Sequence, residues 1–345
     1  MPNPSQPSID LPSVCRGNPF AAEGQWLRGN THTHTTASDG KMTVPQAAAW
    51  YEAQGYDFLC ITDHDVIAEL DQESGSQIVL IPGAEIMTDW PEAFGAEICA
   101  LGITQLKRTH VHPQLLIDDV LAQGGVPFMS HPHMSGVHSG LMMKLEGLVG
   151  IEVFNAHCYG TRRRGFSTTQ WDELLTVGKC VWGCAADDRH TSNENLSDSK
   201  QGYDQAKAWV MVKAGDNSPH AILNALRDGM FYSTTGPEIK DIQIIDDHIV
   251  VRTSPVKSVQ LTSLPWCGSR RDAPSGERLT EARIHVGAAA IPSRARRLIK
   301  SVAPTADAAN PKTANCYFRI ECWDGEDGWA WANPWIWETL SLPPA

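Results

Sequence analysis

The stretch TVPQAAAWYEAQGYDFLCITDHD, residues 43–65, holds one complete helix–strand unit. Thr43 and Gln46 have the spacing of a capping box, and Gly55 is a typical helix stop. The apolar run Asp57–Thr62 then predicts a buried strand. It is followed at once by residues that can bind a metal or transfer a proton: Asp63, His64 and Asp65. Such a unit predicts an α/β fold with a functional site at the strand ends.

Outward from this unit, six further runs predict strands: Trp26–Thr31, Ile78–Ile81, Val126–Ser130, Gly150–Phe154, Cys180–Ala185 and Ala208–Val212. Helical patterns lie between them, so we expect βα units, a parallel sheet and a barrel or doubly wound fold. After Gly236 the pattern changes to alternating runs, such as Ile239–Ile245, which predict a small antiparallel β-sandwich. The expected division is an N-terminal extension (1–25), a barrel domain (26–237) and a sandwich domain (238–345).

The composition bounds the function. A chain of 345 residues predicts about two domains, and no apolar run approaches the length of a membrane span. The first residues do not resemble a secretory signal, and nine cysteines without CxxC spacing suggest reduced thiols, so we expect a cytoplasmic protein. A net charge of −12 disfavours nucleic acid as a partner and favours a small-molecule substrate. The oligomeric state, including a homo-oligomer, stays open.

Metal-binding residue types cluster where the predicted strands end. His32 and His34 are one residue apart, so in an extended segment both side chains lie on the same face. Each cluster alone has an ordinary structural explanation, such as a surface histidine or a helix cap. Together they predict a shared metal site, because so many buried carboxylates and imidazoles are costly without a cation. The other clusters follow later strands: Asp63-His64-Asp65, Glu85, His131-Pro132-His133 and Asp187-Asp188-Arg189-His190.

The order of these motifs resembles the PHP (polymerase and histidinol phosphatase) family over about residues 26–237. The resemblance rests on His32-Thr33-His34, Ser38-Asp39-Gly40, Ile61-Thr62-Asp63-His64, Glu85, His131 and Asp188-Arg189-His190. It implies a distorted seven-stranded (β/α) barrel that holds two or three divalent metal ions. The segment 232–237 and the tryptophan-rich segment 331–337 resemble relatives with a C-terminal β domain, including the carbaryl-hydrolase-like branch.

The resemblance also implies a ligand set. One metal would be held by His32, His34, Glu85 and Asp188, and Glu85 would bridge to a second metal bound by His131. A third set would consist of Asp39, His64 and His190.

Glu97 departs from the family pattern, which commonly has a histidine there. It can still bind metal through oxygen, which would favour Mn or Fe over Zn, or it can face solvent instead.

Substrate-contacting residues are expected in the strand-end loops. Four candidates could orient a substrate or be structural: His133, His138, Asn155 and His157. Arg162, within the run Arg162–Arg164, could bind a phosphate, although exposed arginines are also often only solvated. Arg189 sits between two ligands and could contact an anion in catalysis.

These expectations predict a metal-dependent hydrolase in which a hydroxide bridging the metals attacks the substrate. His190 or His157 would protonate the leaving group. A phosphoesterase acting on a small phosphate monoester or diester is favoured. The alternative is a carboxylic ester or carbamate hydrolase at the same centre, and a noncatalytic or nucleic-acid-associated module is the third candidate.

Overall fold

The computed structural model describes residues 18–70, 75–191, 204–246, 248–285 and 316–337. Most of the predicted N-terminal extension, and residues 286–315 and 338–345 of the predicted sandwich domain, lie outside these ranges. No helix in the described ranges is long and apolar enough to cross a membrane.

The part of the chain up to residue 234 contains both strands and helices. Its elements are β1 (Gln25–Asn30), α1 (Val44–Ala53), β2 (Phe58–Ile61), β3 (Val79–Met87), β4 (Glu97–Leu101), α2 (Pro113–Ala122), β5 (Val126–Met129), α3 (Ser139–Met142), β6 (Gly150–Asn155), α4 (Ala156–Arg162), α5 (Thr168–Thr176), β7 (Trp182–Ala186), β8 (Trp209–Ala214), α6 (Pro219–Arg227) and β9 (Phe231–Thr234).

Only strands follow among the described residues. They are β10 (Ile239–Ile245), β11 (His248–Val256), β12 (Ser258–Ser263), β13 (Gly268–Asp272), β14 (Leu279–His285), β15 (Cys316–Trp323), β16 (Trp329–Ala332) and β17 (Trp335–Trp337).

The sequence signals around α1 act as predicted. The Thr43 side chain accepts a hydrogen bond from the backbone N–H of Gln46, whose side chain accepts one from the backbone of Thr43. The capping box is therefore confirmed, and it fixes the start of the helix. Ala47, Ala48 and Tyr51 face the core, so α1 packs against the strand β2 that follows it.

The larger sheet, over the described residues, has fourteen strands. Thirteen run in the order β13-β12-β15-β16-β9-β8-β1-β2-β3-β4-β5-β6-β7, and β17 pairs with β15. The α/β class is confirmed, but a closed seven-stranded barrel is not. The expected parallel pairing holds for β1–β3 and β5–β7 and is wrong for β8, which is antiparallel to β1. Strand β4, which was not among the predicted strands, is antiparallel to both of its neighbours. The loop 88–96 between β3 and β4 contains no helix, and parallel pairing would need a longer crossover.

The first and last strands of the β1–β7 order meet at their carboxyl ends. The N–H of Asp188, after β7, donates to the carbonyl of His32, after β1, at 3.1 Å. The N–H of His34 donates back to the carbonyl of Arg189 at 3.0 Å. Residues far apart in sequence are therefore held side by side at this edge of the sheet.

The C-terminal strands divide between two sheets. Strand β16 pairs with β9, so β12, β13, β15 and β16 continue the larger sheet, while β10, β11 and β14 form a three-stranded antiparallel sheet. An apolar core lies between these layers and includes Ile242, Val251, Leu261, Phe318 and Ile320. A separate β-sandwich is not confirmed, because the backbone pairing of β9 with β16 crosses the predicted boundary at residue 237. The domain division itself stays a prediction.

Candidate metal centre

Four predicted ligands meet at the carboxyl ends of β1, β3 and β7. Their ligand atoms all lie within 4.8 Å of one another: His32, His34, Glu85 and Asp188. The Nε2 atom of His32 lies 3.2 Å from Glu85 Oε2 and 3.4 Å from Asp188 Oδ1. The Nε2 atoms of His32 and His34 are 3.0 Å apart, so both rings face the same point. All four side chains are buried.

A second group lies beside the first, closer to solvent. His34, Asp39, His64 and His190 also place their ligand atoms within 4.8 Å of one another. Asp39 Oδ2 lies 3.4 Å from His190 Nε2 and 3.8 Å from His64 Nε2. Gly40 allows this arrangement, because a Cβ at that position would lie only 2.3 Å from the carbonyl oxygen of His34. The structure thus brings together the residues predicted for the third set.

Glu85 also faces His131 and Glu97. His131 Nε2 lies 3.0 Å from Glu85 Oε1 and 3.6 Å from Glu97 Oε2, and His64 Nδ1 lies 3.5 Å from Glu97 Oε1. Glu97 is buried at the start of β4, so the alternative in which it faces solvent is wrong. The geometry allows Glu85 to bridge two cations, with an oxygen ligand where the resembled family commonly has a histidine.

Two of these residues have an uncommon backbone conformation. His131 has a φ of 25° and Asp188 a φ of 53°, both in the left-handed region that non-glycine residues rarely adopt. Such conformations persist where surrounding contacts enforce them, and they are frequent at functional sites. Asn155 supplies one such contact, since its Nδ2 atom donates to Asp188 Oδ2 at 3.1 Å.

Glu152 holds two of the predicted ligands, His32 and His131, in place, and sequence analysis did not predict this role. Its Oε1 lies 2.7 Å from His32 Nδ1, and its Oε2 accepts hydrogen bonds from the backbone N–H of His131 and from Asn155 Nδ2, both at 2.8 Å. A carboxylate on the far nitrogen of a histidine ligand fixes which nitrogen faces the metal. The available signal was a lone glutamate inside the buried strand Gly150–Asn155.

Asp63, which follows β2 as one of three residues able to bind a metal or transfer a proton, contacts the loop after β1. Its carboxylate accepts hydrogen bonds from the backbone N–H and hydroxyl groups of both Thr35 and Ser38, at 2.7 to 3.1 Å. It therefore holds the loop that carries His34 and Asp39.

The electrostatics of the centre favour protonated imidazoles when no cation is bound. Burial lowers the pKa of His34, but the carboxylates of Asp188 and Glu85, which lie 3.2 and 3.3 Å from its Nε2, outweigh it and raise the pKa to about 9. Burial also lowers the pKa of His131, but the nearby carboxylate of Glu85 outweighs it and raises that pKa to about 9. Burial and the charge of Glu85 raise the pKa of Glu97 to about 8. A bound cation would therefore displace protons.

Unsatisfied buried atoms test whether the site fits a metal. His34 Nδ1, both carboxylate oxygens of Glu85 and Asp188 Oδ1 are buried without a hydrogen bond. Imidazole nitrogens lie close to the carboxylate oxygens but without the alignment of a hydrogen bond, as expected where both face a shared cation. Buried polar atoms in proteins are nearly always satisfied. Imidazole and carboxylate donors suit Zn, Mn and Fe, so these residues fit divalent metal ions.

The predicted substrate residues fall into two groups. His157 and His190 line the cavity above the centre, and His157 Nδ1 lies 3.3 Å from the buried carboxylate of Asp204. His133, His138 and Arg162 are exposed. His133 bonds the carbonyl of Phe166, and Arg162 donates to the carbonyl of Thr161.

Arg189 and Asn155 have structural contacts. The Arg189 guanidinium is buried, with its Cζ 3.7 Å from the centroid of the Trp50 ring, and its Nε donates to the carbonyl of Thr191. Asn155 is fully buried and bonds Glu152 and Asp188. These contacts position the backbone and ligands, and they give no support to the predicted catalytic contact of Arg189 or to substrate binding by Asn155.

The centre forms the floor of a cavity of about 300 Å³. That volume is at the lower end of the range for small-molecule sites. The lining residues are His64, Glu85, Phe94, Gly95, Glu97, His131, Met134, Ser135, His157, Cys158, Asp188 and His190.

Comparison with the sequences of known proteins gives a short match. No model of a known protein family matches the chain. A 5′-3′ exoribonuclease of Haemophilus influenzae is 35% identical over 88 residues, which are 24% of this chain and 30% of that relative's length. The match therefore spans less than a third of the curated relative.

Similar solved structures include PHP-like proteins, the family that the sequence motifs resemble. A two-domain protein of Bacteroides vulgatus containing a predicted PHP-like metal-dependent phosphoesterase is 16% identical, with a TM-score of 0.46, covering 78% of this chain and 90% of that one. A protein of Bifidobacterium adolescentis, assigned as a metal-dependent phosphoesterase, is 17% identical, with a TM-score of 0.39 and coverage of 49% and 90%. An amidohydrolase of Chromobacterium violaceum is 14% identical, with a TM-score of 0.37 and coverage of 48% and 88%.

Proposed function

We propose that this chain is a metal-dependent phosphoesterase that hydrolyses a small phosphate monoester or diester with two or three divalent ions (Mn, Zn or Fe). The observation that carries the proposal is the set of buried, unsatisfied carboxylate oxygens of Glu85 and Asp188, which line the floor of an open cavity and face the Nε2 atoms of His32 and His34. Leaving such groups buried without a partner is costly, and a cation is the partner that their chemistry fits.

When bound, divalent ions in such a site stabilise negative charge on phosphoryl oxygens and make water a better nucleophile. The protein would position these ions through histidine rings that are held in place by hydrogen bonds. Glu152 is hydrogen-bonded to Nδ1 of His32 and Ser135 to Nδ1 of His131, so Nε2 of each ring faces Glu85. No protein nucleophile is required.

His157 is the stronger candidate for protonating the leaving alkoxide. Nδ1 of His190 bonds the carbonyl of Asp188 at 2.9 Å, and its Nε2 faces Asp39, which is the arrangement of a ligand. His157 lines the cavity with Nδ1 on Asp204, which leaves Nε2 to deliver a proton. We therefore assign the ligand role to His190 and the acid role to His157.

Two observations favour a phosphate ester over a carbonyl substrate and a small substrate over a polymer. The matched segment of a relative named as an exoribonuclease points to phosphoester chemistry. The cavity is small and the chain carries a net charge of −12, which opposes binding to a long polyanion.

The experiment uses protein purified without chelator. We expect elemental analysis to find divalent metal, and we expect turnover of an aryl phosphate monoester or an aryl phosphodiester that chelation removes and metal restores. Hydrolysis of a naphthyl carbamate alone would select the carboxylic ester or carbamate alternative. Protein that binds no metal and turns over none of the three substrates would reject the proposal.

A further inference from the structure

Phe94 is presented to solvent by an anchored loop. It lies between β3 and β4 with 97% of its surface exposed, although Ala93 is only 5% exposed and Ala96 is fully buried. Thr88 donates to the carbonyl of Ala96 through both its N–H, at 3.0 Å, and its hydroxyl, at 2.7 Å. The loop is thus tied down beside an aromatic side chain that contributes nothing to the core.

The position of Phe94 relates it to the metal centre. Phe94, Gly95 and Met134 line the same cavity whose floor is formed by Glu85, His131 and the other predicted ligands. The cavity therefore combines apolar side chains with a polar floor. A ligand that fits it has an anionic group next to a flat apolar group.

The backbone of the loop contributes to this placement. Gly95 has a φ of 73°, in the left-handed region, and a Cβ there would meet nothing within 4 Å. A larger residue would fit at this position, but it would rarely adopt this backbone conformation, so the conformation is what requires glycine. It turns the chain directly after Phe94.

We propose that Phe94 is a substrate-contacting specificity residue that stacks on a planar aromatic ring attached to the phosphate ester. This rests on the proposed phosphoesterase function. Aromatic side chains stack on flat rings with little conformational cost, and such contacts tolerate many ring types. A nucleobase and a simple arene are both sources of such a ring, and they share the chemistry that Phe94 would recognise.

The test measures binding to the metal-loaded full chain by calorimetry, with two matched ligand pairs. AMP and ribose 5-phosphate differ by a nucleobase, and benzyl phosphate and ethyl phosphate differ by an arene. For the wild-type protein we expect the ring-bearing member of at least one pair to bind about 5- to 150-fold more tightly, the range that one stacked ring provides. The pair that discriminates identifies the source of the ring.

Variants then assign the effect to Phe94. Phe94→Ala should remove the preference for the ring-bearing ligand and leave the affinity for its partner unchanged, and Phe94→Trp should retain the preference. Trp266→Ala is the matched control, because Trp266 is 80% exposed and does not line the cavity. Equal binding within both pairs, or a preference that survives Phe94→Ala, would overturn the inference.

Turnover of the same ligands separates this inference from the proposed function. Ring-dependent binding that Phe94→Ala removes, without hydrolysis of any ligand, would keep the role of Phe94 in binding and reject the phosphoesterase. Hydrolysis of phosphate esters with no dependence on the ring or on Phe94 would keep the phosphoesterase and reject the role of Phe94.

Discussion

Two buried charged clusters in this molecule differ in how their charges are balanced. Arg319 in β15 is almost fully buried and pairs with both oxygens of Asp172, at 2.7 and 2.8 Å, and with Glu321. At the strand ends, Glu85 and Asp188 are equally buried, yet three of their carboxylate oxygens lack a hydrogen bond. The first cluster is complete with protein atoms alone, and the second leaves carboxylate oxygens that fit the cation proposed above.

This difference separates a structural ion pair from a binding site. Burial opposes charge in both clusters. Burial lowers the pKa of Arg319, but Glu321 and Asp172 more than compensate and raise it. Burial raises the pKa of Glu85, and the surrounding imidazoles, His32 foremost, hold it well below its usual value. Changes in the first cluster should therefore affect folding, and changes in the second should affect metal binding.

The largest expected effect is that of Glu85→Gln. It removes the carboxylate shared by His32, His64 and His131, so we expect metal to be lost from purified protein and activity to fall by more than about 100-fold, since even outer partners of metal ligands contribute 10- to 100-fold. Elemental analysis and rates on the substrate found above measure both. The matched control is Glu146→Gln, whose side chain is 88% exposed. A Glu85 variant with full metal content would contradict the bridging role.

Lowering the pH should weaken metal binding next most strongly. In metal-free protein the pKa values of His34 and His131 are about 9, so both rings are protonated at neutral pH and must lose their protons to bind metal. Affinity should therefore rise with pH up to about 9, by as much as about tenfold per pH unit for each proton displaced. Calorimetry in buffers of different ionisation enthalpy measures the protons released. An affinity that is constant between pH 6 and 8 would contradict these pKa values.

Arg319→Met tests the paired cluster. It leaves Asp172 and Glu321 without their partner, and breaking a buried pair in this way costs about 3 kcal/mol of the free energy of unfolding, at the lower end because Asp172 is partly exposed. Urea denaturation measures the loss, and metal content per folded molecule should be unchanged. Loss of metal in the folded variant would show that the two clusters are coupled.

Glu152→Gln is expected to have a smaller effect, confined to the metal centre. The amide keeps the shape of the side chain but weakens the hydrogen bond to His32 Nδ1, so we expect a 10- to 100-fold loss of metal affinity with the ligands still in place. Competition with a chromogenic chelator measures it. An unchanged affinity would mean that His32 is oriented by other contacts.

Sequence analysis predicts features whose signal lies within a few residues and misses those that depend on contacts between distant segments. The capping box of α1 is local, because Thr43 and Gln46 are three residues apart, and it was predicted correctly. Most of the predicted ligands follow apolar runs, a pattern that is visible within a few residues, and their assignment to metals came from the resemblance to the PHP family.

Contacts that depend on the three-dimensional arrangement could not be found in this way. Glu152 reaches His32 across 120 residues, and Arg189 turns its guanidinium onto Trp50 in a distant helix. The reversed direction of β4 depends on a loop without a helix, and the pairing of β9 with β16 joins segments about 100 residues apart. The pairing of β9 with β16 leaves no local signal.

The smallest expected effect is that of Glu97→His, which restores the residue that the resembled family commonly has. Glu97 Oε2 lies 3.6 Å from His131 Nε2, so an imidazole can replace the carboxylate as a ligand of the same metal. We expect metal content to be retained and the preference to move from Mn towards Zn by about tenfold or less, because nitrogen is the softer donor. Competition between Zn and Mn in the two proteins measures the shift. Since Glu85 and His131 remain in place, loss of the second metal would mean that the geometry around β4 accepts only a carboxylate, and that the oxygen ligand is a requirement of this fold.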